Sequence, residues 1–381
     1  MARILGPRAL IDNALPTGVD ASYIMNFEMQ EEMTPQEVIS MASTVIGEAN
    51  EYLMNTYGGL VYVTERNHAR YSQGGGARRM TPLGSEFVEE DGYISENVGH
   101  MLFLNDYKDA TPWSRDYLER AIREDLRADI VMKRDDWINR IDYDVITAMF
   151  RSSEIAVGGA GYSTPWAIGT GMNVNYIPPQ WMSNPFDSTH THFLRVNASA
   201  TDTNTISTLE AMAVHLAHHG FTGRKIAYVG DTLADLLTAS TNVKVIRFIP
   251  PEATLTAGST SAPVLTARGI LEGVPGEVIC MVQTKAGMVE VRRHDRIPTN
   301  YVWMGKSFGR DNERNPLAIR VYPGKGFGLT VNPQVDRSIN PTIDKVLFKG
   351  THGVNVNDRL NGVAAQIATG GTTYVEPTVT A

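Results

Sequence analysis

The chain has 381 residues, 42% of them hydrophobic and 20% charged, a globular composition with length for two or three domains. Its net charge of -8 repels a polyanion, so any relation to nucleic acid is containment or local contact, not whole-surface binding. The lone Cys280 excludes an internal disulfide and points to a reducing compartment. MARILGPRAL has no apolar core before a small-residue cleavage site, and no run reaches the roughly 20 apolar residues that span a bilayer, so a soluble cytosolic chain without a membrane partner is expected.

Residues 1–33 mix Gly6, Pro7, Pro16 and Gly18 with isolated apolar residues and read as an extended arm. A helix over 34–57 follows: Thr34 is its N-cap, Pro35 sits at N1, Glu37 completes a capping box, and Val38, Ile39, Ala42, Val45, Ile46, Ala49 and Leu53 repeat at helical spacing until Gly58 and Gly59. Residues 58–107 read as a long hairpin loop. LVYVTERNHARY leads out, EFVEEDGYISENVGHMLFL returns, and the stretch RYSQGGGARRM lies between them. Arg66, Arg70, Arg78 and Arg79 mark the outward half and tip, and Glu86, Glu89, Glu90, Asp91 and Glu96 the return. A two-stranded hairpin of this length is marginal in water and is expected to lie on something.

The longest periodic segment, 112–150, has Thr111 as cap and Pro112 at N1, with a stripe from Trp113, Tyr117, Ala121 and Ile122 through Leu126, Ile130, Trp137, Ile141 and Val145 to Met149. Asp129 with Lys133 and Asp136 with Arg140 are candidate i,i+4 pairs. Unbroken, the helix would run ~58 Å at 1.5 Å per residue, a strut more than a core helix. After a Gly/Pro/Asn-rich stretch to 204 that includes the strand-like THFLRV, Ser207 and Glu210 suggest a capped helix ending at Gly220. KIAYV then reads as a buried strand and Asp231 as the cap of DTLADLL. The remainder is mainly β: VICMVQ, MVEVRR, NYVWM, LAIRVY, FGLTV and DKVLFKGTHGVNV. The fold class is α+β, and the tail 370–381 reads as flexible.

Chemical motifs are weak. RYSQGGGARRM has no GK[ST] and no following helix, so it reads as a hairpin tip and not a phosphate cradle. Gly305, Lys306 and Ser307 follow the bulky YVWM, where a phosphate loop would need an open glycine-rich backbone, and GKGFG at 324–328 reads as a turn. His215, His218 and His219, with His190 and His192 elsewhere, could bind zinc, but a helix C-terminus attracts histidines through its dipole, and that role is the expectation. No nucleophile elbow occurs, so neither catalytic, cofactor nor metal residues are expected and the chain reads as a non-enzyme.

The order of parts (arm, helix, long charged hairpin, strut, α+β unit with TLEAMAVHLAHHGFTGRKIAYVGDTLADLL, and the ending FGLTVNPQVDRS…DKVLFKGTHGVNVNDRLNGVAAQI) resembles the major capsid proteins of tailed double-stranded DNA bacteriophages, with the Hong Kong 97-type fold. The resemblance spans nearly the whole chain. It implies a peripheral domain over 108–204 with a spine helix at 112–150, an axial domain over 205–324, and closing strands over 325–369 shared by the two. It further implies a homo-oligomer of hexamers and pentamers in a virion shell assembled in the host cytoplasm. The shell would enclose double-stranded DNA without sequence-specific binding, with a portal protein and, in some members, scaffolding and cement or decoration proteins as partners. Arg66, Arg70, Gly74, Gly75, Gly76, Arg78 and Arg79 would then form the inter-subunit contact of the extended loop. An encapsulin-like compartment is the alternative on the same fold, and a soluble zinc- or nucleotide-dependent enzyme the alternative outside it.

Overall fold

The computed structural model describes residues 35–72, 97–111, 117, 120–156, 162–169, 176–178, 185–248, 264–265, 274–335 and 343–379. The expected arm over 1–33 and the hairpin tip, with Gly74, Gly75, Gly76, Arg78 and Arg79, lie outside the described residues. In chain order the elements are α1 (Pro35–Tyr57), β1 (Val61–Thr64), β2 (His68–Ser72), β3 (Asn97–Met101), β4 (Asn105–Thr111), α2 (Arg123–Phe150), β5 (Ile155–Ala156), β6 (Tyr162–Ser163) and β7 (Phe193–Val196). There follow α3 (Asp202–His218), β8 (Lys225–Val229), α4 (Asp231–Ala239), β9 (Val245–Phe248), β10 (Val264–Leu265), β11 (Glu277–Thr284), β12 (Gly287–Arg293), β13 (Tyr301–Gly305), β14 (Leu317–Val321), β15 (Leu329–Val335), β16 (Ile343–Val356) and β17 (Gly362–Ile367).

Two sheets organise them. In the first, β16 is central. Residues 346–350 pair with both β4 and β15, which therefore lie on opposite edges, while His352 pairs with both Asn105 of β4 and Val321 of β14. So β14 and β15 share one edge end to end, and residues 322–328 form a loop that leaves this edge and rejoins it. The expected GKGFG turn is here, with Gly324 and Gly326 at φ 78 and 73, a backbone that glycine adopts without strain. Beyond β14, β1 adds in parallel. Helices α1 and α2 pack on this sheet with Val38, Ala42, Ile46, Leu53, Leu126, Ile130, Trp137, Ile141 and Val145 buried, which is the stripe that the 3.6-residue period sets.

The second sheet has eight strands in the order β10-β9-β11-β12-β8-β13-β17-β7. Both of its faces are covered. Ala227 and Val229 of β8 and Val302 and Met304 of β13 meet Leu209, Met212, Leu216, Leu233 and Leu237 of α3 and α4, whereas the alternate residues Ile226, Tyr228, Tyr301 and Trp303 enter the core that α2 completes. That two-sided burial is why KIAYV and YVWM read as unbroken apolar runs.

Several boundaries differ from expectation. The long helix begins at Arg123, not Pro112: Thr111 is the last residue of β4, paired with Val346, and Ile122 is extended at φ -90, ψ 162. Tyr117 and Arg120 before it are helical, so the expected helix is interrupted at Ala121 and Ile122, and the part from Arg123 on is about 42 Å long at 1.5 Å per residue. Lys133 reaches Asp109 at 2.6 Å, and Arg140 pairs with Asp144, not Asp136, at 2.7 Å. The cap of α3 is Thr201, six residues before the expected Ser207, its hydroxyl accepting from Asn204 N at 3.2 Å. Asp231 does not cap α4; Gly230 occupies that position and Asp231 accepts from Arg293 at 2.7 Å.

The tail departs most from expectation. The Tyr374 hydroxyl donates to the Phe150 carbonyl at 2.9 Å and the Tyr301 hydroxyl to the Val375 carbonyl at 2.8 Å, while Glu376 accepts from Ser152 N at 3.1 Å and Ser153 N at 3.2 Å. Through residue 379 the tail is docked against the end of α2. Its aromatic anchor and carboxylate supply what a polar composition concealed. No helix among the described residues is long and apolar enough to cross a membrane.

Candidate functional site

The hairpin is narrower than 58–107. Its flanks β1 and β4 belong to the first sheet, and among the described residues β2 and β3 leave it, paired antiparallel from His68↔Met101 to Ser72↔Asn97. Leu102 N donates to Asn67 O at 2.9 Å and closes the base. At Gly99 a Cβ would stand 2.6 Å from the Ala69 carbonyl oxygen, so only glycine admits this approach of the strands.

Polar side chains from the central strands clamp the base. Asn355 accepts from Phe103 N at 2.8 Å and donates to Phe103 O at 3.2 Å; Arg320 donates to Leu102 O at 2.6 Å; the His100 imidazole bonds Val356 O at 2.7 Å. Burial pushes the His100 pKa down to about 4, with the bond to Val356 opposing and Arg359 adding to the shift. The excursion therefore starts from a fixed mount although a free two-stranded hairpin is marginal.

Beside the mount lies a cleft of about 620 Å³, with Tyr62, Arg66, Arg70, Tyr176, Glu313 and Arg314 among its walls. Arg66, expected to meet a neighbour, bonds Glu313 of its own chain at 2.9 Å, with both side chains 65% exposed. At that exposure such a pair contributes ~0–1 kcal/mol and is readily exchanged. Arg70 is exposed on β2. The nucleotide-like Gly305, Lys306 and Ser307 are structural: Gly305 ends β13, Lys306 Nζ donates to Thr222 O at 2.7 Å, and Ser307 Oγ donates to Gly59 O at 2.5 Å.

No family model and no curated protein matches the chain. Among solved structures, one from Mycobacterium phage Patience superposes with TM-score 0.62 at 18% identity, over 95% of this chain and 97% of that one. The chain has the Hong Kong 97-type fold. Looser likenesses, too distant to argue from, include the capsid of Cyanophage P-SCSP1u (TM-score 0.44, 8% identity, 83% of this chain and 87% of that one) and the mature capsid of bacteriophage PhiM1 (0.44, 11%, 83% and 88%).

Within this Hong Kong 97-type fold the histidines behave unlike a helix-end cluster. His190 and His192, just before β7, meet His215 and His219 at the end of α3, and one ring nitrogen of each lies within 4.8 Å of the others. His218 is exposed and stays apart. The usable signal in the sequence was the pair of spacings, i,i+2 ahead of a strand and i,i+4 on a helix, each of which puts two rings on one face. The clamp from Arg320 and Asn355 carried no such signal, since it depends on the register of β14 and β16.

Proposed function

We propose that this chain is the major capsid protein of a tailed double-stranded DNA bacteriophage, building an icosahedral shell of pentamers and hexamers and performing no catalysis. The observation that carries this reading is the end-to-end likeness to the Mycobacterium phage Patience structure, 95% of one chain on 97% of the other. In this reading β2 and β3 are the base of the extended loop, and Arg70, Gly74, Gly75, Gly76, Arg78 and Arg79 contact a neighbouring subunit. Arg66 can exchange Glu313 for a neighbour's carboxylate. Helix α2 is the spine of the peripheral domain, and the eight-stranded sheet forms the axial domain. A rigid mount under a long hairpin suits a part whose partner is another molecule. Individual exposed ion pairs are weak, but a closed shell repeats them in every subunit.

The acidic balance suits a container, because a wall that gripped DNA would impede both its entry and its exit. A portal protein, scaffolding or decoration proteins, and assembly in the host cytoplasm before residence in the virion belong to the same reading. Electron microscopy and sedimentation of the purified chain test it. Closed polyhedral particles are the expected result; a monomer at every concentration refutes it. Particles isolated from their natural source that enclose protein in place of DNA would move the reading to an encapsulin-like compartment.

A further inference from the structure

We propose that His190, His192, His215 and His219 bind one divalent transition-metal ion of the zinc class, as a closed structural site that pins the sheet-edge strand β7 to the end of α3. The geometry comes first. The six distances between the four ring centres run from 4.6 Å (His192 to His215) to 5.3 Å (His215 to His219), with the other four at 4.8, 4.8, 4.9 and 5.1 Å. Six nearly equal edges among four points describe a tetrahedron. Zinc–nitrogen bonds of roughly 2.0–2.1 Å put ring centres about 5 Å apart and ligand nitrogens about 3.3 Å apart. His190 Nε2 and His219 Nε2 already stand at 3.1 Å.

The backbone fixes the arm of the site beside β7. His192 N donates to Ala167 O at 3.0 Å and its carbonyl accepts from Ala364 N at 2.9 Å, while Gly169 N donates to His190 O at 2.9 Å. His192 Nδ1 lies 2.7 Å from Gly362 O, which as an acceptor requires the proton on Nδ1 and leaves the Nε2 lone pair directed inward. That Nε2 and His215 Nε2 are both buried without a hydrogen-bond partner. Orphaned polar atoms of this kind ordinarily cost free energy and are rare in native interiors. A central cation would use both lone pairs. Phe186 lies over the cluster, its ring 4.4 Å from His219 and 4.6 Å from His190.

The donor set selects the ion. Four imidazoles with no carboxylate or thiolate favour zinc and similar borderline ions over magnesium or calcium, and four protein ligands leave no open position for substrate.

The test uses the full, untagged chain, incubated with zinc, desalted and assayed by elemental analysis, with Co(II) as a spectroscopic substitute. Stoichiometric zinc and the intense visible bands of tetrahedral Co(II) are expected for the wild type. The His218→Gln chain should retain both, and His215→Gln/His219→Gln should lose both, with circular dichroism reporting its fold. Should the double variant not fold, the wild-type cobalt spectrum decides alone. Zinc at background in the wild type, a cobalt spectrum without tetrahedral bands, or full retention by the folded double variant overturns the site.

Discussion

Replacing Asn50 by Leu tests whether one buried amide joins three elements of the first core. The side chain of this α1 residue is fully buried. Its Oδ1 accepts from Trp137 Nε1 of α2 at 3.1 Å and from Leu329 N of β15 at 3.0 Å, and its Nδ2 donates to Leu329 O at 3.3 Å. Leucine has similar bulk but satisfies none of these groups, and the site cannot simply collapse around it, because Gly328 is packed directly against the amide. Each orphaned buried group costs about 1–3 kcal/mol, so three give about 3–6 after partial relaxation, a large share of the 5–15 kcal/mol that holds a typical domain together. Urea unfolding of the free subunit, below the concentration at which it assembles, measures the loss through its midpoint at unchanged slope. Trp137→Phe removes one of the stranded donors in advance, so the double variant should cost less than the sum of the singles. A loss below about 1 kcal/mol for Asn50→Leu, or strict additivity in the cycle, refutes the argument.

Reversing Arg78 and Arg79 to Glu should lower particle yield in sedimentation while leaving the free subunit's melting temperature within a degree or two; equal loss in both would assign these arginines to the intrachain fold. No lysine occurs among residues 1–107, so the arm, first helix and extended loop lack the amine that an isopeptide crosslink from this loop requires. Particles should therefore run as a single band of 41.9 kDa in hot reducing detergent, and a ladder of covalent oligomers would contradict this. His100 has a folded pKa of about 4 against 6.5 in the unfolded chain, so the unfolded state takes up the proton first; the stability it contributes is complete above pH 6.5 and is lost as the pH falls toward 4. Unfolding midpoints at pH 7.5 and 5 should differ less in His100→Gln than in the wild type, and an unchanged difference would show that this imidazole does not titrate on unfolding.

The strands at 225–229, 288–293 and 343–356 were legible because burial on one or both faces leaves either an alternation or an unbroken apolar run, and either survives in a single sequence. Helix starts were less so. Ser207 with Glu210 is a good local signal, yet Thr201 caps α3 a turn and a half earlier, and no residue type announces the break of the long helix at extended Ile122. The hairpin's existence was legible from its glycines and β-prone flanks, but its true base at 68 and 101 depends on which flanking strands join the sheet, a nonlocal choice. The histidines illustrate the same limit: the sequence holds the two spacings, and only the placement of β7 beside α3 brings them to one point.

The detour of residues 322–328 out of the sheet edge carries a practical consequence. Register on either side of it is set by β16, Val321 lying opposite His352 and Leu329 opposite Gly350, so the number of residues in the detour does not enter the pairing. A Cβ at Gly324 would meet nothing within 4 Å, and Tyr322 is already 52% exposed, whereas Phe327 is fully buried and holds the return limb in place. Guest peptides placed between Gly324 and Lys325 would give up the turn bond from Lys325 N to Tyr322 O and would otherwise cost the slowly rising entropy of a longer loop. If the chain forms shells, that one junction becomes a regular lattice of attachment points, an address for presenting an epitope or tethering an enzyme once per subunit.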